Sequence, residues 1–128
     1  MLCLVNISPQ SLGYHATANG LIKYINLAGL EVTAAQARSP VGECVAKSIR
    51  VRVISNNIDD VGVYTVYKNN VATALVLTID AADGVGNYST DVDVSFAAGD
   101  DVYVKADLST CLAGVLAVEI TIDFLSES

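Results

Sequence analysis

The chain has 128 residues, a formal net charge of −7 and a pI near 4.3, with 52% hydrophobic and only 16% charged residues. An acidic protein with scattered basic side chains excludes a nucleic-acid surface, and polar residues interrupt every long apolar stretch, which excludes a membrane-spanning helix. The length predicts one domain over residues 1–128 with its own core, and the apolar surplus predicts that part of the surface is an obligate interface.

Residues 1–30 read as extended segments with turn signals at Ser8-Pro9 and Asn19-Gly20. Residues 21–27 are apolar enough for a buried strand, with a short helix as the open alternative. Residues 31–46 are small and mixed; Pro40 and Gly42 break regular structure, and Ala34-Ala35-Gln36-Ala37 has the composition for one helical turn.

From Lys47 the pattern becomes strictly two-residue. Ile49, Val51 and Val53 alternate with polar neighbours, as do Val92, Val94 and Phe96, and then Leu116, Val118, Ile120, Ile122 and Phe124. Successive side chains of a strand point to opposite faces, so each run is a strand with one dry face. The predicted strands are 48–55, 61–68, 71–79, 90–97, 101–107 and 115–124, separated by clusters of Asn, Asp and Gly that make turns. Asn69-Asn70 reads as a two-residue hairpin turn requiring positive φ, where glycine at position 70 is expected to relieve strain. With two or three strands from the first third, the expected fold is all-β: a single-domain antiparallel jelly-roll β-sandwich of about eight strands.

Chemistry is harder to find. His15 is the single histidine, so any Ser–His–Asp set must converge on it, and no nucleophile elbow, HExxH or phosphate loop occurs. The chain therefore reads as no enzyme, with no catalytic residue, no metal and no cofactor, and His15 reads as a surface or interface residue. Loop carboxylates at Asp59-Asp60, Asp80 with Asp83, and Asp100-Asp101 have the oxygen chemistry calcium accepts, but aspartate is also an ordinary turn residue and none has EF-hand spacing. A sugar platform would draw on the six tyrosines (Tyr14, Tyr24, Tyr64, Tyr67, Tyr88 and Tyr103), since the chain has no tryptophan. Three cysteines without a CxxC pair read as small reduced side chains, with a Cys44–Cys111 bridge left open. Arg50 and Arg52 share one strand face.

Two segments carry a resemblance. Residues 66–79, a strand ending in Asn69-Asn70 followed by Val71-Ala72-Thr73-Ala74-Leu75, are similar to a hairpin common in small jelly-roll modules of tailed-bacteriophage virions, where Asn-Gly is usual at the turn. Residues 92–102, Val92-Asp93-Val94-Ser95-Phe96-Ala97-Ala98-Gly99-Asp100-Asp101-Val102, resemble the Val-x-Val-x-Ala-Gly-Asp-x-Val turn of the same modules. The resemblance covers residues 49–124 and extends to sandwiches of the tumour-necrosis-factor type, which assemble as trimers. It implies a virion structural protein, expected to be a homotrimeric capsid decoration protein whose partner is the major capsid protein of a virus. A free-standing module starting at Met1 without a signal peptide is expected to be made in the host cytoplasm and to end in the virion, with neither nucleic acid nor membrane as a partner. A tail-associated receptor- or glycan-binding module and a self-polymerising filament subunit are the alternatives. Residues 1–12 are expected to form an extended arm, with Met1, Leu2, Leu4, Val5 and Ile7 as interface residues, or else the first strand of the sandwich.

Overall fold

The computed structural model describes residues 5–127. Two antiparallel sheets are formed by β1 (Val5–Ala18), β2 (Ile22–Ile25), β3 (Glu31–Val32), β4 (Ser39–Pro40), β5 (Cys44–Asn56), β6 (Val61–Lys68), β7 (Val71–Asp80), β8 (Gly86–Phe96), β9 (Asp101–Asp107) and β10 (Val115–Glu127). One sheet has the order β1-β10-β5-β8; the other runs β3-β2-β9-β6-β7, with β4 also paired to β9. Setting aside the two-residue strands β3 and β4, the chain is one long hairpin rolled on itself. β1 pairs with β10, β2 with β9, β5 with β8 and β6 with β7, all antiparallel. That nesting is the jelly-roll order.

The alternating runs fold as their period requires. Ile49, Val51 and Val53 of β5 and Leu116, Val118, Ile120 and Ile122 of β10 line the inner face of the first sheet. They meet Tyr64 and Val66 of β6, Leu75, Leu77 and Ile79 of β7, and Val102, Val104 and Ala106 of β9, all buried. The sheets approach closely at Gly62, where an added Cβ would lie 2.7 Å from Leu116 Cδ2. The turn at Asn69-Asn70 has positive φ at both residues, 49° and 66°. The Asn70 side chain also accepts a 2.7 Å hydrogen bond from the Tyr103 hydroxyl. Glycine there would relieve strain but forfeit that bond, so the gain expected from backbone preference alone is offset.

Several boundaries differ from the sequence reading. Ser8-Pro9 makes no turn: β1 runs straight through, with Pro9 opposite Asp123. β1 is an edge strand, where proline's missing N–H costs no ladder bond. Its irregularity lies further on, where Leu12 is the extra residue of a bulge and Gly13 takes φ 78°. Strands β5, β8 and β10 extend beyond their alternating runs, because ladder pairing continues where side-chain periodicity stops. Lys47 and Ile54 are the extra residues of β5 against β10, and each bulge interrupts the alternation that marks a strand in sequence. Only Ile25 of β2 is buried, so the buried strand expected over residues 21–27 is a short half-exposed one over residues 22–25. The Ala34–Ala37 turn is helical and has a capping box between Thr33 and Gln36.

Residues 5–12 belong to β1, in register with β10 from Val5 opposite Glu127 to Ser11 opposite Thr121. Their backbone is thus the first strand of the sandwich and not an extended arm. Met1, Leu2 and Leu4 lie outside the described residues.

Candidate functional site

His15 sits on β1, three residues past the bulged Leu12, and is 3% exposed, which corrects the expectation of a surface residue. Its Nε2 donates to the Leu12 carbonyl at 2.7 Å, and its Nδ1 faces Glu31 Oε2 at 2.5 Å. Lys23 Nζ reaches Glu31 Oε1 at 3.0 Å and donates to the Ala16 carbonyl at 2.6 Å. Burial would raise the Glu31 carboxyl, but hydrogen bonds from His15 and Lys23 outweigh it and hold the group below its usual range. Glu31 belongs to the second sheet and His15 to the first, so the network stitches the two sheets together. Both ring nitrogens are engaged, which leaves His15 no free nitrogen to act as a base.

The loop aspartates are spent on turns. Asp80 Oδ1 accepts from Ala82 N and Asp83 Oδ2 from Asp80 N. Asp59 Oδ1 accepts from Leu112 N and Ala113 N, and Asp100 Oδ2 from Ala97 N. Among the described residues no group of three or more potential ligands gathers around a common point. Cys44 and Cys111 are both free thiols; Cys111 donates to the Val61 carbonyl at 3.3 Å, and burial pushes both thiols up.

The two outer sheet faces carry different side chains: a tyrosine cluster on the second sheet and arginine–carboxylate pairs on the first. Register defines five rungs on the outer face of the second sheet: Ile22–Asp107–Val63–Thr78, Val32–Tyr24–Lys105–Thr65–Val76, Tyr103–Tyr67–Ala72, Val61–Asp80 and Pro40–Asp101. Sixteen positions hold four charges, at Asp80, Asp101, Lys105 and Asp107, and the Lys105 and Asp107 side chains approach to 3.9 Å. Tyr67 stacks on Tyr103 with centroids 5.0 Å apart and 13° between planes, and Tyr24 meets Tyr103 edge-on at 5.9 Å. Tyr103 is thereby covered to 2% exposure, and Tyr64 points inward and is fully buried, where burial pushes its hydroxyl up. Sequence reasoning placed Tyr103 on a strand but did not bring Tyr24, Tyr67 and Tyr103 together, because three separate strands supply them.

On the first sheet the rungs are Tyr14–Glu119–Arg52–Asn87, Ser11–Thr121–Arg50–Ser89 and Pro9–Asp123–Ser48–Asp91. Five of these twelve positions are charged, while the adjoining rungs Ala16–Ala117–Ser55 and Leu125–Val45–Ser95 carry no charge. Arg50 and Arg52 do share this face. Arg50 grips Asp123 with two bonds, Nε–Oδ2 at 2.7 Å and Nη2–Oδ1 at 2.9 Å, while the Ser48 hydroxyl donates to Oδ2 at 2.6 Å.

The Arg50 guanidinium therefore holds the Asp123 carboxyl below its usual range, partial burial opposing and Ser48 assisting. A carboxyl depressed in the fold contributes stability that is complete above the unfolded value, about pH 4, and is lost as pH falls through the folded one. Chemical denaturation across this window is expected to show stability falling with acid, and Asp123→Asn to flatten that slope. An unchanged slope would mean that other carboxylates control acid unfolding.

Beside this ion pair the same face is indented by a groove of about 250 Å³, lined by Arg50, Val51, Arg52, Asn87, Tyr88, Ser89, Glu119 and Thr121. No protein-family signature matches this chain, and no characterised protein is significantly similar to it.

Proposed function

We propose that this chain is a self-associating structural protein of a virion, acting as a decoration protein on an assembled shell. The observation that carries the self-association is the outer face of the second sheet: rungs of Val, Ile, Thr and Tyr broken centrally by Lys105 and Asp107, with Ile22 41% and Val76 38% exposed. Interfaces between permanent partners resemble a core cut in half and favour tyrosine, and this face has that composition. The resemblance of residues 66–79 and 92–102 to phage virion modules supports the shell as the further partner and a trimer as the assembly. Binding only the assembled lattice would stabilise the shell by mass action, with no covalent chemistry.

Light scattering is expected to give a multiple of the 13.4 kDa chain mass. Val76→Glu, which places a charge amid the apolar rungs, is expected to release monomers, while Arg52→Glu on the opposite face leaves the mass unchanged. A stable wild-type monomer at micromolar concentration would refute the assembly. Antibody-labelled imaging of native particles tests the shell, and particles devoid of the protein would overturn the decoration role.

A further inference from the structure

We infer that the groove on the outer face of the β1-β10-β5-β8 sheet binds a single neutral saccharide ring. Its volume of about 250 Å³ falls below the roughly 300–1,000 Å³ of sites for drug-sized ligands, which suits one ring. Its lining supplies an amide (Asn87), two hydroxyls (Ser89 and Thr121), a guanidinium (Arg52) and a carboxylate (Glu119) on adjoining rungs. The amide, guanidinium and carboxylate are planar groups, each offering two donor or acceptor positions to the neighbouring hydroxyls of a sugar.

These groups are available to a ligand. The Asn87, Ser89 and Thr121 side chains are exposed or half-buried, and among the described residues they take no part in the hydrogen bonds of the adjoining Ser48–Arg50–Asp123, Tyr88 and Thr90 side chains. Arg52 Nη1 lies 3.7 Å from Glu119 Oε2, a loose pair that leaves its remaining donors free. On the flank, Tyr14 stands opposite Glu119 in register and is 58% exposed, an aromatic surface for the apolar face of a ring.

Charge argues against an anion. Both arginines line the groove, but Arg52 pairs with Glu119 in the lining and Arg50 commits two donors to Asp123 beside it. A phosphate or carboxylate would find no net positive field, whereas a polyhydroxylated neutral ring finds both donors and acceptors. This reading concerns the face opposite the self-association surface and stands apart from the virion role.

The test is a two-dimensional amide NMR titration of the intact protein with the methyl glycosides of glucose, galactose and N-acetylglucosamine. At least one is expected to shift the amides of Arg52, Asn87, Ser89 and Thr121, together with the Asn87 side-chain amide, at millimolar concentration. Asn87→Ala removes an exposed side chain on the edge strand β8 and should weaken that binding about tenfold, the equivalent of one or two hydrogen bonds. Light scattering on the same variant should show an unchanged assembly. No shift in these residues with any of the three sugars would overturn the inference, as would equal shifts with inorganic phosphate.

Discussion

Gly114→Ala is expected to lower stability by roughly 3–5 kcal/mol, from backbone strain at positive φ plus steric overlap. Gly114 has φ of 100°, and its added Cβ would overlap the Asn57 carbonyl and lie 2.7 Å from Ile58 Cα. Those atoms are backbone and have no rotamer by which to retreat. They also belong to a clamp: Asn19 N donates to the Gly114 carbonyl at 2.8 Å, and Val115 N donates to Asn57 Oδ1 at 2.5 Å. The β1–β2 turn, the β5–β6 connection and the start of β10 therefore loosen together. Gly84→Ala is the control, since a Cβ there meets nothing within 4 Å and its backbone is not in the positive-φ region. It should change stability by no more than about 0.5 kcal/mol. Urea denaturation of both variants reads the difference, and coincident midpoints would remove the steric argument.

Ile120→Ala is expected to cost on the order of 2–5 kcal/mol, the usual loss for truncating a fully buried aliphatic side chain. Ile120 is completely buried on the inner face of β10, opposite Val51 on one side and the Gly13 bulge on the other. No side chain projects from Gly13 to fill the space left behind. Thr121→Ala, on the outer face beside Arg50, should stay within about 0.5 kcal/mol. Thermal or chemical unfolding of the pair checks the register directly, because a one-residue slip would reverse the order of the two effects.

The strongly alternating elements were legible in the chain because their chemistry is local. In β10 the buried face from Leu116 to Ile122 follows from side-chain period alone, and the Asn69-Asn70 turn follows from the tolerance of asparagine for positive φ. The path of β1 through Pro9 was not legible, since proline is a turn signal unless one knows that the strand lies at a sheet edge. Nor was the burial of His15, whose two partners are a carbonyl freed at a bulge and a carboxylate from the other sheet, sixteen residues away.

By itself the sequence determined the all-β class, the dry face of each alternating strand and the turn at Asn69-Asn70. Only the tertiary structure decided which outward side chains stand together. Tyr24, Tyr67 and Tyr103 come from β2, β6 and β9, and Arg52, Asn87 and Glu119 from β5, β8 and β10. Period two tells each strand which of its side chains point outward, but it is the nesting of distant strands that sets those side chains beside one another. Composition of a face is a property of strand order, and strand order comes from long-range pairing that no local pattern encodes.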